Sequence, residues 1–367
     1  MQKNLFMQAN KNKSKNFVEA IREAVFLSLK KDKNLYLMGE GVDDPSSMWG
    51  TIKGVSKEFG KDRVLEMPVA ENALIGAAIG SAINGAKVIV NLQRVEFSLY
   101  AFEQIINNAA KSCYISRGKH TVPIVIRLVV GRGWGQGPEH AQSLENIFSS
   151  IPGLKVVIPA FPKDAKNLLI SSIFDKNPVI FIEHRWLHFS EGKVDKNFRI
   201  KPLKSFDKIL NGKDITIVAN SVNLLEALRV SKLLKNFNIN VDLLNLCVPN
   251  PLDCKDLFKS VKKTNALITI DLGHKLLGLG SEMISQVVEK NIFLKAAPIR
   301  LGLPFHPTPS SLGLIKNYYP DGLSLLQAIK KTLRINKKKY KLILKKYNSQ
   351  IKKMPIDVPD PYFKGPF

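Results

Sequence analysis

Cysteine is scarce in this chain, which has only three among 367 residues. Cys113, Cys247 and Cys254 are too few and too scattered for a disulfide framework or a zinc site, so a reducing compartment is expected. Long apolar runs are missing as well, because no stretch reaches the ~18 residues that a membrane span needs. The first residues, MQKNLFMQANKNKSKN, have no apolar core of signal-peptide length. These absences predict a cytoplasmic protein without a membrane-spanning segment.

Acidic residues are also few, since 31 Asp and Glu stand against 55 Lys and Arg and give a formal net charge of +24. Such a charge is typical of proteins that bind nucleic acids or membrane surfaces. The excess is mostly lysine and accompanies many Asn and Ile, so we favour a general composition bias and predict neither a nucleic-acid nor a membrane partner. From Lys330 to Lys353 no acidic residue occurs, which is typical of a solvated helix face or tail.

What is present is a repeated alternation of strand and helix patterns. Continuous apolar runs separated by helical patterns predict an α/β fold with parallel sheets covered on both faces. In the first half, strand-length runs occur at Leu35–Met38, Val88–Leu92, Ile124–Val130, Val156–Ile158 and Val179–Ile182. The helical patterns are Phe17–Leu29, Ala70–Ile83, Phe97–Tyr114 and Ala165–Phe174.

The alternation pauses once and so divides the chain. Residues 191–213 are interpreted as a linker between a first domain at 16–190 and a second, smaller α/β domain at 214–334. Residues 1–15 form an N-terminal extension. Residues 335–367 form a basic C-terminal tail, in which prolines argue against a packed helix. The strands of the second domain are predicted at Ile215–Ala219, Val241–Asn245, Ala266–Asp271 and Ala296–Leu301.

Three stretches of the first domain carry a family resemblance: MPVAENALIGAAIGSAINGAKVIV from Met67, QRVEFSLYAFEQIINNAAK from Gln93, and a longer stretch from Val122 that contains GRGWGQGPEHAQSLENIFSSIPGLKVV. Together they resemble the pyrimidine-binding domain of transketolase-like thiamin-diphosphate enzymes. The match is strongest with the beta subunits of pyruvate and branched-chain 2-oxo-acid dehydrogenases. The second half, with DLGHKLLGLGSE at Asp271 and PTPSS at Pro307, is similar to the transketolase C-terminal domain.

The resemblance implies a subunit that acts only with a partner chain. The family holds the cofactor diphosphate and magnesium with a Gly-Asp-Gly motif and a later Asn, and no Gly-Asp-Gly occurs here. We therefore expect thiamin diphosphate to be shared with an alpha-type subunit that holds the magnesium, in a heterotetramer whose copies of this chain associate about a two-fold axis. The implied reaction is decarboxylation of a 2-oxo acid, with acyl or aldehyde transfer to a lipoyl acyltransferase or another acceptor.

The resemblance also assigns the cofactor site. Glu71, in Pro-Val-Ala-Glu, matches the glutamate that exchanges a proton with the cofactor aminopyrimidine. Taken alone, a glutamate in a first helical turn is more simply explained by the helix dipole. Gln93 and Phe97 match positions that line the aminopyrimidine. Arg94 stands where the dehydrogenases more often have an aromatic residue.

His140 matches the active-site histidine near the substrate, a role that suits a side chain titrating near neutral pH. Ala141 follows it where many relatives have Ser. The preceding glycine-rich loop, Gly131–Gly137, lacks the context of a dinucleotide-binding fingerprint, and we expect it to shape the substrate mouth.

Other polar residues carry weaker predictions. Some relatives hold a potassium ion, and the matching positions here are Ile124, Ser172, Asp175 and Asn177. His184 and His188 are four residues apart, but their context favours a structural role over a metal pair. Acids at the positions of Glu40 and Glu103 are common in relatives, and neither residue is predicted to be catalytic.

Two alternatives to a 2-oxo-acid dehydrogenase subunit stay open. The unusual Gly131–Gly137 loop is compatible with a split transketolase-like synthase in sugar or surface-polysaccharide biosynthesis. A catalytically silent homologue would use the basic tail to dock on an acidic partner. The joint presence of Glu71, Gln93, Phe97 and His140 argues against that silent homologue.

Overall fold

The computed structural model describes residues 14–44, 46–133, 136–315 and 317–351. Most of the predicted N-terminal extension, the proline-containing end of the basic tail, and Trp134 with Gly135 of the glycine-rich loop lie outside these residues. The described chain folds into two α/β domains, each built on a largely parallel sheet, as predicted. Within the described ranges, no helix combines the length and apolar character that crossing a membrane requires.

The first domain contains eight strands. They are β1 (Ser14–Asn16), β2 (Leu35–Gly39), β3 (Val64–Glu66), β4 (Lys87–Arg94), β5 (Ile124–Val130), β6 (Lys155–Val157), β7 (Val179–His184) and β8 (Glu191–Lys193). Six of them form a parallel sheet in the order β3-β2-β4-β5-β7-β6, and β1 pairs with β8 in an antiparallel ribbon. Every residue of β5 is buried, as expected for a central parallel strand with both faces covered.

Helices cover both faces of this sheet. They are α1 (Phe17–Lys31), α2 (Ser47–Gly50), α3 (Val55–Phe59), α4 (Glu71–Ile83), α5 (Ala110–Ile115), α6 (Glu145–Ser149) and α7 (Pro162–Ile173). Helix α1 begins at a capping box, because Asn16 Oδ1 accepts a hydrogen bond from the Glu19 amide at 2.8 Å and the Glu19 carboxylate accepts one from the Asn16 amide at 3.0 Å.

The segment Phe97–Tyr114 is wound differently from the single helix that its pattern predicts. Residues Val95–Ala101 form a 3₁₀ helix and Gln104–Ala109 form a π-helix before α5 begins. Gly153 packs directly on the carbonyl of Ala110, and a side chain at position 153 would collide with it. Periodicity alone does not distinguish these windings, because each segment spans only about one or two turns.

The second domain is a five-stranded sheet in the order β13-β12-β10-β11-β9. Its strands are β9 (Phe206–Leu210), β10 (Ile215–Ala219), β11 (Val241–Leu246), β12 (Leu267–His274) and β13 (Ile299–Leu303). Its helices are α8 (Ser221–Lys235), α9 (Lys255–Thr264), α10 (Leu279–Glu289), α11 (Leu312–Ile315), α12 (Gly322–Thr332) and α13 (Lys337–Ile351). Strand β9 runs antiparallel at the edge, and the other strands are parallel.

The segment 191–213 is more ordered than a linker. Its first three residues form β8, and Phe206–Leu210 form β9, which pairs with β11 in the register Phe206 to Leu246. An edge strand exposes its outer side to solvent, so β9 can carry Asp207 and Lys208 and lacks the continuous apolar run used to find the other strands. The linker interpretation was wrong for Phe206–Leu210, which belong to the second sheet, while the other domain boundaries stay predictions.

The prediction that the tail lacks a packed helix was also wrong. Lys337–Ile351 form α13, with Ile343 and Tyr347 buried against the second domain. The two residues are four apart and therefore share one face of the helix. The Tyr347 hydroxyl donates to Glu226 Oε1 at 3.2 Å. The prolines that argued against a helix begin only at position 355, beyond the described residues.

Candidate active site

The candidate site begins where β2 and β4 end. These strands are neighbours, but the chain continues from β2 to β3 on one side and reaches β4 on the other, so a crevice opens at their carboxyl ends. Glu40 follows β2, while Gln93 and Arg94 end β4. Glu71 is the first residue of α4, which follows β3. The fold thus brings together residues from three separate segments.

Two carboxyl groups face this crevice. Glu71 is 8% exposed and Glu40 is 5% exposed. Burial, together with the negative charges of Glu71 and Glu66, raises the pKa of Glu40 to about 7. Glu40 Oε1 is buried and has no hydrogen-bond partner among the described residues. A buried carboxyl oxygen without a partner is costly and is suited to a polar ligand.

Sequence analysis assigned no catalytic role to Glu40. A usable signal was its position in Gly39-Glu40-Gly41, directly after a buried parallel strand. Acids at the carboxyl ends of such strands gather at one edge of the sheet. Glu103, by contrast, is exposed and accepts hydrogen bonds from Asn108.

Gln93 and Phe97 lie beside these carboxyls on the chain that leaves β4. Gln93 has a positive φ of 34°. Its side-chain amide nitrogen lies close to Gly41, and a Cβ added at Gly41 would be 3.4 Å from that nitrogen. Phe97 is half-buried and contacts His140 edge to face, with ring centroids 5.9 Å apart and an interplanar angle of 83°. Phe97, predicted to line the cofactor, and His140, predicted to lie near the substrate, are therefore in direct contact.

The orientation of His140 is fixed on one side. Its Nδ1 lies 2.8 Å from the carbonyl oxygen of Glu139. A carbonyl only accepts hydrogen bonds, so Nδ1 donates in this contact, and Nε2 stays available for a second partner. Arg94 holds the same loop, because its guanidinium donates to the carbonyl of His140 at 3.0 Å and to Gln136 Oε1 at 2.6 Å.

Glu96 is a further buried acid of this region that sequence analysis missed. One of its oxygens accepts a hydrogen bond from the Gln142 amide at 2.6 Å. Burial raises its pKa, while Arg94 and His140 oppose the shift. Glu96 thus links the turn after β4 to the chain after His140.

The glycine-rich loop is packed against the second domain. The Gly133 amide donates to the Tyr319 hydroxyl at 2.8 Å, and an added Cβ at Gly133 would collide with Thr308 and lie 2.9 Å from the Pro309 carbonyl. The Arg132 guanidinium stacks on Tyr319 at 3.8 Å and on Trp186 at 4.6 Å. The mouth beside His140 is therefore built from both domains.

Comparison with known proteins gives the family. Residues 13–188 match "Transketolase, pyrimidine binding domain" and residues 207–323 match "Transketolase, C-terminal domain". The beta subunit of acetoin:2,6-dichlorophenolindophenol oxidoreductase from Cupriavidus necator is 34% identical over 86% of this chain and 96% of that protein. The mitochondrial pyruvate dehydrogenase E1 component subunit beta of Saccharomyces cerevisiae is 33% identical over 86% of this chain and 88% of its own.

This chain belongs to the transketolase-like E1 beta-subunit family of the 2-oxo-acid dehydrogenases. A solved structure described as "Split gene transketolase, inactive beta4 tetramer" has the same fold, with a TM-score of 0.70 and 20% identity over 87% of this chain and 98% of that one. The predicted fold class and family are thereby confirmed.

The residues of this E1 beta chain fit the aminopyrimidine of the family's cofactor, thiamin diphosphate. A flat heterocycle with ring nitrogens and an amino group needs a carboxyl, further polar groups and an apolar face. The unpartnered Oε1 of Glu40, the buried carboxyl of Glu71, the amide of Gln93 and the ring of Phe97 supply these at one edge of the sheet.

The predicted potassium residues gather at the opposite, amino-terminal edge. Pairing of Val125 with Val179 places Ile124 beside Pro178, next to Asn177. The Asp175 carboxylate accepts a hydrogen bond from the Asn177 amide at 2.9 Å and pairs with Lys155 Nζ at 2.5 Å. The ammonium of Lys155 already neutralises the one carboxylate of this group, and potassium binding stays a prediction.

His184 and His188 lie within the protein interior. His184 Nδ1 accepts a hydrogen bond from the Trp186 amide at 3.2 Å, and burial holds the pKa of His184 well below its usual value. His188 lies 3.8 Å from Glu183, whose carboxylate binds the buried Arg127 guanidinium. Among the described residues, no group of three or more His, Cys, Asp or Glu side chains is placed to hold a metal ion, and the structural role of this pair stays a prediction.

Proposed function

We propose that this chain is the beta subunit of a heteromeric thiamin-diphosphate enzyme that decarboxylates a 2-oxo acid and passes the acyl or aldehyde unit to an acceptor. The observation that carries this is the pair of buried carboxyls, Glu71 and Glu40, beside Gln93 at the ends of β2 and β4. Family membership supports the reaction class, because this chain matches most of the length of the beta subunits of a pyruvate dehydrogenase E1 component and of an acetoin:2,6-dichlorophenolindophenol oxidoreductase.

Residues on the aminopyrimidine side and on the substrate side of the site have different roles. When bound, thiamin diphosphate supplies the nucleophilic carbon that attacks a 2-oxo carbonyl. Glu71 holds and exchanges a proton at the aminopyrimidine edge, and its burial excludes water from that exchange. Phe97 gives the heterocycle an apolar surface. Through its Nε2, His140 takes up or returns a proton on the substrate side.

The partner is inferred from the part of the cofactor site that this chain does not supply. The sequence has no Gly-Asp-Gly motif for the diphosphate and magnesium. We infer an alpha-type partner subunit that supplies both, with two copies of each chain around a two-fold axis and a lipoyl acyltransferase as one candidate acceptor. The free thiols of Cys113, Cys247 and Cys254 support a cytoplasmic enzyme.

The experiment is co-expression with a chain that carries the Gly-Asp-Gly and Asn residues, followed by a screen of 2-oxo acids. Decarboxylation is measured by CO₂ release and by reduction of 2,6-dichlorophenolindophenol, with and without added thiamin diphosphate. We expect cofactor-dependent turnover by the pair and none by the single chain. Turnover of 2-oxo acids by the single chain at the rate of the pair would contradict the shared site.

A further inference from the structure

Two arginines lie at the substrate mouth beyond the cofactor residues. Arg94 ends β4 opposite Val129 of β5, and Arg185 follows β7, whose last residue His184 is opposite Val130. Both arginines therefore reach the carboxyl edge of the sheet, on the two strands that flank β5. Backbones two strands apart are separated by about 10 Å, which two arginine side chains can span together.

Arg185 is buried and Arg94 is partly buried, and neither guanidinium is paired with a carboxylate among the described residues. Arg185 is 5% exposed and its guanidinium lies 4.7 Å above the ring of Trp49. In the described part of the chain no carboxylate is within 4.0 Å of either guanidinium. The nearby acid Glu96 interacts with Arg94 but is also bound by the Gln142 amide.

The positive charges of Arg94 and Arg185 repel one another. Burial lowers the pKa of Arg185 to about 10, and the charge of Arg94 contributes to the lowering. Burying a cation without a counter-ion is unfavourable, and bringing a second one near adds repulsion. A bound anion removes both costs, and the guanidinium fork is suited to carboxylate and phosphate groups.

We propose that Arg94 and Arg185 form an anion-binding site, the arginine pair, that recognises a phosphate or second carboxylate at the far end of the substrate. The pair spans β5, from the end of β4 to the residue after β7, whereas Glu40 follows β2 and Glu71 begins the helix after β3. The anion it binds is thus displaced from the cofactor side of the site. The proposal rests on the proposed function for the reaction and adds the substrate class.

A binding measurement tests the arginine pair without any turnover. Inorganic phosphate is titrated calorimetrically into the co-purified pair of chains with thiamin diphosphate present, for wild type, Arg94→Gln and Arg185→Gln. Arg199→Gln is the matched control, because Arg199 is half exposed and pairs with Asp195 at 3.4 Å away from the mouth. We expect each mouth variant to weaken phosphate binding at least ~10-fold, and the control to stay within about 2-fold.

The control for folding is the melting temperature of each variant, since Arg94 also holds the loop carrying His140. Arg94→Lys and Arg185→Lys keep the charge without the fork and should bind phosphate with intermediate affinity. Equal phosphate affinity in wild type and all four mouth variants would overturn the proposal.

Substrate comparison then identifies the anion. Among 2-oxo acids, pyruvate has no second anionic group, 2-oxoglutarate has a second carboxylate, and 3-phosphonopyruvate has a phosphonate that resembles a phosphate. We expect wild type to prefer one of the last two in kcat/KM, and this preference over pyruvate to fall at least ~10-fold in Arg94→Gln and Arg185→Gln. Pyruvate as the best donor, with the same ratios in the variants, would contradict the inference and leave the proposed function standing. Arginine-dependent phosphate binding without decarboxylation of any 2-oxo acid would contradict the proposed function alone.

Discussion

Glu71 occupies the first turn of α4, buried at the crevice between β2 and β4. Glu71→Gln keeps the size of the side chain and removes the exchangeable proton. We expect turnover of the co-purified pair to fall roughly 10²- to 10⁴-fold, the usual contribution of general acid–base catalysis. Glu103→Gln, at an exposed carboxyl, is the control. Near-normal turnover by Glu71→Gln would remove this residue from the role.

The raised pKa of Glu40 predicts a pH-dependent stability. Its folded pKa is about 7, against an ordinary value of 4.5. The contribution of this group to folding is therefore fully present below about pH 4.5 and is lost as the pH rises through about 7. Glu40→Gln removes the cost of the buried charge, so the variant should gain more stability at high pH than at low pH.

For the isolated chain, we expect the gain in free energy of unfolding to be about 2 kcal/mol larger at about pH 8 than at about pH 5. Denaturant unfolding at both pH values measures it. Glu58→Gln, an exposed glutamate on α3, should show no such difference. Equal gains at the two pH values would contradict the raised pKa.

Local sequence points to some candidate site residues and not to others. Glu71, Gln93, Phe97 and His140 lie in stretches that match the family apart from neighbours such as Arg94 and Ala141, so their sequence context suggests their roles. The proposed role of Arg185 depends on strand order, because Arg185 approaches the site only once β4, β5 and β7 lie side by side. No spacing along the chain reports that arrangement.

At the scale of elements, α13 offers a matched pair of tests. Ile343 is fully buried, whereas the adjacent Leu342 is 53% exposed. Ile343→Ala should lower the free energy of unfolding by about 2–4 kcal/mol, since it leaves a cavity between α13 and the second domain. Leu342→Ala should change it by less than about 0.5 kcal/mol. Equal effects in denaturant unfolding would mean that α13 is not packed as described.

The same helix shows where sequence patterns mislead. A run of lysines with apolar residues at every third or fourth position is an amphipathic helix, and the prolines that follow it belong to a separate segment. Strand β9 was missed for a related reason, because an antiparallel edge strand carries polar residues on its outer side. The buried parallel strands were found because their apolar runs are continuous.

At the scale of the whole molecule, a half-site for the cofactor requires an assembly. The site residues lie at one sheet edge, and the diphosphate motif is missing from the sequence. We expect a heterotetramer of two chains of each kind, with obligate interfaces that bury more than ~2,000 Å². Light scattering on the co-expressed pair should give a mass near four chains. A stable and active one-to-one complex would contradict this assembly and leave the cofactor assignment intact.

The central claim is that this chain supplies the aminopyrimidine half of a thiamin-diphosphate site. Deuterium exchange at the thiazolium carbon of the cofactor, followed by NMR with quenched samples, tests it most directly. We predict accelerated exchange in the co-purified pair, no acceleration with this chain alone, and loss of the acceleration when the pair contains Glu71→Gln. Acceleration that persists in the Glu71→Gln pair, or that the single chain produces unaided, would contradict the claim.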